Sequence, residues 1–314
     1  MILSVSRRTD IPAFYAEWFM NRLKEGFVYV RNPFNYKQIS NIPLSPANID
    51  CIVFWTKDPQ NIMRYLKQIG EMGYNYYFQF TITPYGKDIE SNLRDKREII
   101  QTFRELSESE GKEKTILRYD PILVQDSGKY SINFHIEAFE RLLDSLSPFT
   151  DKIVISFIDL YRKTAKNMKN IKIKELPDKD IRFIAGRFSD IAKRYNLRIE
   201  TCAEKIDLQR FGINHAKCID GNLIEKIAGY TISGKNKRDG GRLFCGCMKC
   251  IDIGQYGGCI HGCAYCYANA DKNKAFKNYG DHNPNSPVLF GKFNAKTVNQ
   301  RSCGIKSLKN SGQD

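Results

Sequence analysis

Six strand-length runs of β-branched and aromatic residues recur along residues 2–201, and a helix-length amphipathic stretch separates each from the next. The runs are Ile2–Ser6, Cys51–Thr56, Tyr76–Thr83, Thr115–Tyr119, Ile153–Phe157 and Arg198–Thr201. The stretches between them are Ala13–Glu25, Pro59–Met72, Arg94–Glu110, Asn133–Leu146 and Asp178–Asn196. Several carry their own stop signals: Gly26, Gly73 and Gly111 follow the first three, and Pro148 follows the fourth. Alternation at this spacing calls for parallel strands joined by helical crossovers. Six such units favour an α/β fold of the (β/α) barrel type, partial or closed, over a flat sheet. A doubly wound sheet is the alternative. The Gly-rich turn that a dinucleotide fold needs after its first strand is missing.

The chain has 314 residues, enough for one such barrel with an appendage. Hydrophobic residues make up 42% and charged residues 27%, which is globular composition and excludes a disordered chain. No apolar run approaches the roughly 18 residues of a membrane helix, so no membrane partner is expected. Met1–Arg8 passes from a short apolar run straight into charge without the apolar stretch of a secretory signal, and a cytoplasmic location is expected. Polar residues gather where each predicted strand meets its loop: Arg7, Arg8, Thr9 and Asp10; Lys57 and Asp58; Thr81 and Thr83; Arg118 and Asp120; Asp159; Cys202 and Glu204. In a parallel barrel these all face the C-terminal end, where such folds build active sites. Each taken alone is as well explained as a helix cap or a loop charge, Asp10 and Asp58 above all.

Six of the ten cysteines (Cys245, Cys247, Cys250, Cys259, Cys263 and Cys266) fall in one 22-residue window. In a long chain without an export signal, that density reads as metal or cluster ligation rather than a disulfide framework. Cys259, Cys263 and Cys266 follow a Cys-x3-Cys-x2-Cys spacing within GCIHGCAYCYAN. Three thiolates on one short loop hold three irons of a cubane and leave the fourth open to a small chelating molecule. Gly258 and Gly262 let such a loop wrap tightly, and Tyr265 would shield one face. A zinc ribbon is the rival, but it needs two separated cysteine pairs. The second constellation is Cys245, Cys247 and Cys250 with Cys202 and Cys218 upstream. Four thiolates suit either a closed iron–sulfur cubane or a structural zinc, and a second [4Fe-4S] cluster is the preferred expectation. Cys51 reads as a small buried hydrophobe and Cys303 as a free thiol of the tail. His261 either hydrogen-bonds the cluster or faces solvent, and His215 is a possible substitute ligand near Cys218.

The triple motif, with an aromatic residue just before its third cysteine, resembles the signature of radical S-adenosylmethionine enzymes, and GCIHGCAYCYAN is similar to their spore-photoproduct-lyase-like branch. Further segments resemble the family called domain of unknown function 1848: SVSRRTDIPAFY at the start, RNP at Arg31–Pro33, FWTKDP at Phe54–Pro59, FQFTIT at Phe78–Thr83, RYDPI at Arg118–Ile122, CAE at Cys202–Glu204, CID at Cys218–Asp220, then CGC and DIGQY. The resemblance covers roughly residues 1–270. It implies a circularly permuted radical barrel, in which a strand near 251–256 occupies the slot before Ile2–Ser6. It also implies that Cys202, Cys218, Cys245 and Cys247 form the second set, with Cys250 at a serine-like position. The Gly-Gly-Glu that such enzymes use for the methionine amino group has no counterpart here, and Asp10 or Thr9 would have to substitute. Residues 1–270 then form a single unit with a cysteine-rich segment 202–270, and 271–314 form a C-terminal helix and tail.

The activity implied is an enzyme that generates a 5′-deoxyadenosyl radical. Its cofactors would be a [4Fe-4S] cluster on Cys259, Cys263 and Cys266 and S-adenosylmethionine, reduced by a flavodoxin or ferredoxin in a reducing cytoplasm. Arg7, Arg8, Asp10, Lys57, Arg118, Asp120 and Glu204 are the candidates for holding cofactor and substrate, with Thr9, Gly262 and Tyr265 against the cofactor. An anionic substrate would suit the four cations among them. The alternative is a non-enzymatic iron–sulfur or zinc protein that binds nucleic acid. It draws on the net charge of +14 and on twelve basic residues against four acids between Arg162 and Arg198, with Tyr161 and Phe183 nearby. A solvated helix face explains that run equally well.

Overall fold

The computed structural model describes residues 1–159, 164, 167–169, 171–235, 237–239, 243–293, 299–302 and 306–310. Its centre is an eight-stranded sheet built from β1 (Ile2–Val5), β4 (Cys51–Thr56), β5 (Tyr76–Thr81), β6 (Thr115–Ile122), β7 (Lys152–Phe157), β8 (Arg198–Thr201), β9 (Asn214–His215) and β10 (Ile251–Asp252). All the expected strands form. The spatial order is β10-β1-β4-β5-β6-β7-β8-β9, and every neighbouring pair is parallel. The strand that comes last in sequence therefore precedes the first: Leu3 pairs with Ile251 and Ser4 with Asp252.

Alternation along each strand sorts the side chains onto two faces. Leu3, Val5, Ile52, Phe54, Phe78, Phe80, Leu117, Tyr119, Ile153 and Ile155 point to one core, which the crossover helices cover. Those helices are α1 (Ile11–Phe14), α2 (Ala16–Glu25), α3 (Gln60–Met63), α4 (Leu66–Glu71), α5 (Lys96–Glu110), α6 (Ile132–Leu146) and α7 (Asp178–Arg194). Phe139 of α6 and Phe188 of α7 stack at 3.9 Å over the edge of Tyr119. Ile2, Cys51, Val53, Tyr77, Ile116 and Val154 point the other way, into a second core shared with Ala216, Cys218, Ile219, Ile224, Cys247 and Met248. Among the described residues the crossover helices between β1 and β8 all cover one face, as in a partial (β/α) arrangement and unlike a doubly wound sheet. The sheet stays open, however, because no ladder joins β9 to β10 among the described residues. Both edge strands are two residues long, and the face opposite the helices is filled by Ala216, Cys218, Ile219, Ile224, Ile232, Cys247 and Met248.

Two expected helices are interrupted. Asp10 caps the single turn α1 through the Ala13 N–H at 3.1 Å, and Tyr15 (φ −133°) breaks the line before α2 begins. The 60–71 stretch likewise divides near Tyr65. A hairpin of β2 (Phe27–Arg31) and β3 (Gln38–Pro43), joined by β11 (Asn299–Ser302), forms a separate three-stranded sheet that the alternation did not announce. Beyond the first eight strands and their crossovers, α8 (Gly221–Ala228) packs on the second core and α9 (Lys272–Gly280) opens the C-terminal extension. That extension packs back on the body: Trp18 Nε1 donates to the Ser286 carbonyl at 2.8 Å, and buried Asp50 accepts from the Leu308 N–H at 2.8 Å.

His135 of α6 is fully buried in the helix-covered core. Its Nε2 meets the Leu123 carbonyl at 2.7 Å and its Nδ1 meets the Tyr119 hydroxyl at 2.9 Å. A carbonyl only accepts, so Nε2 carries the proton and Nδ1 accepts from Tyr119, the neutral tautomer. Burial holds this imidazole down to about 4. Below the ordinary histidine value of about 6.5 the unfolded chain takes up a proton that the folded chain refuses. Stability is therefore complete above that value and falls as pH drops toward 4. His135→Gln keeps a donor and an acceptor but does not titrate. Urea unfolding at about pH 7 and about pH 4.5 should show the variant losing about 2–3 kcal/mol less than the parent.

Candidate metal centres

The loop after β10 carries Cys259, Cys263 and Cys266 past the C-terminal ends of β1, β4 and β5. It is anchored from several sides. The Gly257 N–H bonds the Ala268 carbonyl at 3.0 Å, closing the loop on itself. Tyr15 donates to the Gly258 carbonyl at 2.6 Å. The segment after β5 runs antiparallel to the loop: Glu90 bridges Cys263, the Ala264 N–H bonds Ile89 at 2.9 Å and the Asn92 N–H bonds His261 at 3.0 Å. Gly262 has φ +72°, and a Cβ there would stand 2.3 Å from Ser91 Oγ, so both backbone and space demand glycine. At Gly258 a Cβ would stand 2.5 Å from the Phe290 ring.

Burial pushes all three thiols up, Cys263 to about 12; neighbouring carboxylates and sulfurs add to the effect at Cys259 and Cys263, while backbone N–H groups and Lys57 oppose it at Cys266. Such thiols stay protonated at neutral pH unless a cation lies among them. The residues around them are already paired. Asp10 accepts from the Lys57 N–H at 2.7 Å and from His261 Nε2 at 2.8 Å, besides capping α1. Glu90, 1% exposed, takes Lys57 Nζ at 2.7 Å, Thr83 Oγ1 at 2.7 Å, and also Lys96 and Tyr265. Burial acts to raise Glu90, but the two lysines more than cancel it and hold the carboxyl down to about 2. Thr9 donates to the Gln255 carbonyl.

The second set lies inside the sheet, in the core opposite the helices. Cys202 follows β8, Cys218 follows β9, and Cys245 and Cys247 come from the returning segment. The Cys202 and Cys218 sulfurs are 3.8 Å apart. Cys218 also contacts Cys247, which contacts Cys245, so the four thiols form a chain. Contact with Cys247 lowers Cys245 to about 7 despite burial. Contact with Cys218, then burial, raises Cys202 well above the usual thiol value. Arg118, 3% exposed, donates through Nη1 to Cys218 Sγ at 3.0 Å and to Gln79 Oε1 at 3.1 Å, through Nη2 to Asp120, and lies over the Trp55 ring at 5.2 Å. Asp120 is also bonded by Ser156. Glu204 accepts from the Phe157 N–H at 2.8 Å, and burial raises its carboxyl to about 8. Among the described residues, no three His, Cys, Asp or Glu side chains are preset around one point as a metal shell.

The structure thus divides the predicted residues among three places. Asp10, Lys57, Gly262 and Tyr265 stand with the three-thiol loop. Arg118, Asp120 and Glu204 stand with the four-thiol set. Arg7 and Arg8 stand between them: Arg7 donates to Asp239 at 3.1 Å and Cys250 Sγ at 3.1 Å, and Arg8 to the Gly254 carbonyl at 3.4 Å. Arg7, Lys57 and Arg118 each have a carboxylate partner within 3.1 Å or closer, so an anionic substrate would find these cations already neutralised. His215 is exposed and contacts Thr201 and Phe244 instead of the thiols. Cys51 is fully buried, as expected. Cys303, Tyr161, Arg162, Lys163 and Lys166 lie outside the described residues. Elsewhere in the basic run, Lys174 pairs with Asp180 and Arg194 with Glu140, each at 2.6 Å. No helix among the described residues is long and apolar enough to cross a membrane.

Sequence reasoning missed Glu90, Asp239 and Asp252. Asp252 accepts from Ser4 Oγ at 2.8 Å and from the Arg7 N–H at 2.8 Å, and Gly254 donates to it at 3.0 Å. The only signal for it was its place in the DIGQY segment. Glu90 belongs to no motif and acts through partners distant in sequence.

These features define a single-wound parallel α/β protein with two groups of thiols toward the C-terminal ends of its strands. The chain belongs to the family called domain of unknown function 1848, whose profile matches residues 2–268 and so includes both thiol groups. No curated protein matches it. Among solved structures, a provisionally assigned alpha-L-fucosidase from Bacteroides thetaiotaomicron VPI-5482 is similar at 10% identity, over 60% of this chain and 76% of its own, with a TM-score of 0.23. A likeness of that size carries nothing about fold or activity here.

Glu90→Gln leaves the hydrogen-bonding shape but removes the charge between two lysines. Leaving a buried ion pair one-sided should cost about 3 kcal/mol in urea unfolding. It should also speed the reaction of Cys263 with a thiol reagent, since the segment paired with the loop is loosened.

Proposed function

We propose that this protein is an iron–sulfur enzyme of the radical S-adenosylmethionine class, with Cys259, Cys263 and Cys266 as the ligands of a [4Fe-4S] cluster. The observation that carries this reading is the placement of three thiols on one loop, Cys263 buried and Cys259 and Cys266 half-buried, after a strand that pairs in parallel with β1. The donor set fits: soft thiolates that need a cation to ionise, in a water-poor loop. A second fit is His261 Nδ1, a buried atom of the same loop without a hydrogen-bond partner, while Nε2 is fixed on Asp10. When bound, the group supplies one-electron reductive cleavage of the sulfonium of S-adenosylmethionine.

The chain's own residues then hold and insulate. Asp10 ties the loops after β1 and β4 to His261, which fixes the thiol loop against the sheet. Glu90 keeps Lys57 charged beside Cys263 and brings Tyr265 over the loop. Phe14, 4.5 Å from the His261 ring, closes the outer side and excludes water. Because Asp10 and Thr9 are occupied in this scaffold, the methionine amino group would be met by other groups of the strand ends.

Anaerobically purified protein should be brown and should cleave S-adenosylmethionine when dithionite is added. Cys263→Ala should lose both properties while keeping its far-ultraviolet circular dichroism. A colourless, zinc-loaded parent protein would replace this reading with that of a metal-stabilised binding protein, and salt-dependent binding to nucleic acid would then be the next measurement.

A further inference from the structure

The four thiols opposite the helices have a geometry that separates two kinds of centre. Around one metal ion with metal–sulfur bonds of about 2.3 Å, tetrahedral ligands lie about 3.8 Å from one another. In a four-iron cubane each thiolate caps a different iron, and the iron–sulfide core holds the ligand sulfurs much farther apart. The Cys202–Cys218 separation is 3.8 Å, and the contacts continue to Cys247 and then Cys245; the four stand as a chain and not as a preset shell, so an ion would draw its two ends together.

The backbone tells the same story. The segment carrying Cys218 and the segment carrying Cys245 and Cys247 are joined directly. The Met248 N–H bonds the Ile219 carbonyl at 3.0 Å, and the Ile219 N–H points back at Cys247 Sγ at 3.4 Å. Gly246 sits so close that a Cβ would be 3.0 Å from the Ala216 carbonyl oxygen. Cys218 is pinned from the sheet side, its carbonyl accepting from Tyr77 at 2.7 Å and Gln79 at 2.8 Å. A core of four irons and four sulfides between these segments would have to part those bonds. A single ion would not. Arg118, buried and itself paired with Asp120, points Nη1 at Cys218 Sγ at 3.0 Å, a charge-assisted hydrogen bond that favours the thiolate form and fixes that sulfur.

We propose that Cys202, Cys218, Cys245 and Cys247 bind one tetrahedral divalent metal ion of the zinc class, with Arg118 as a positioning residue that hydrogen-bonds the Cys218 sulfur. This rests on reading the four thiols as ligands, and it does not require that the Cys259 loop hold a cluster.

The test uses the full chain with Cys259→Ala, Cys263→Ala and Cys266→Ala together, which removes the other set of thiols. Elemental analysis should find one zinc per chain and no acid-labile sulfide. Growth on cobalt should give the visible ligand-field bands of a four-thiolate tetrahedral site. About four irons with matching sulfide on this variant would overturn the proposal. So would a metal-free protein whose four thiols all react with a disulfide reagent. Should the triple variant fail to fold, zinc-edge X-ray absorption on the parent protein decides the matter: four sulfurs at one distance support the proposal, and nitrogen or oxygen ligands overturn it. Failure of the radical-enzyme reading appears separately, as absence of brown colour and of sulfide in the parent.

Discussion

The arrangement depends on one carboxylate. Asp252 sits in a two-residue strand at the edge of the sheet and accepts from the side chain of Ser4, the backbone of Arg7 and the backbone of Gly254. So short a strand contributes little pairing of its own. The side-chain bonds lock its register against β1, and that register decides where the following loop leaves the sheet. Cys259, Cys263 and Cys266 therefore arrive at the ends of β1, β4 and β5, although about 250 residues separate them from β1 in sequence. Arg7 and Arg8 add charge to the same carboxylate from the loop after β1.

A pattern runs through both thiol groups. Each has a cation beside a sulfur and a carboxylate behind the cation: half-buried Lys57 with buried Glu90 near Cys263, and buried Arg118 with half-buried Asp120 near Cys218. The carboxylate keeps the cation charged despite burial, and the cation in turn favours thiolate. The two pairs also sense each other, since Asp120 contributes to holding the proton on Lys57. The carboxylates turn cations that might have served a substrate into fixed features of the scaffold.

Much of the fold was legible because it follows from local periodicity. Runs such as Cys51–Thr56 and Arg198–Thr201 have the composition and length of buried parallel strands, and they form with those bounds. The hairpin of β2 and β3 carried a usable signal in the alternating FVYVR, but it fell inside a crossover where only a helix was sought. Closure failed to follow from strand count because Cys218, Ile219, Ile224, Ile232, Cys247 and Met248 fill the face opposite the helices, and nothing in their local sequence states which side of the sheet they take. At the candidate site, cysteine spacing is local and was readable. The partners of the cations are not: Asp239 meets Arg7 across 232 positions, and Glu90 meets Tyr265 across 175. Such pairings appear only when the chain is folded.

The permuted strand order has a consequence for how the molecule is made. Synthesis proceeds from the N-terminal side, at a pace that lets early segments begin to fold before late ones exist. Strands β1 to β9 can assemble while the edge beside β1 stays bare, because the two residues that cover it emerge only after more than two hundred others. During that interval the open edge is the part of the nascent sheet most exposed to wrong pairing. The thiol loop, coming later still, meets a receptacle that is already shaped. Maturation of this protein thus has a natural late step, in which one short segment both covers the edge beside β1 and brings in the thiol loop.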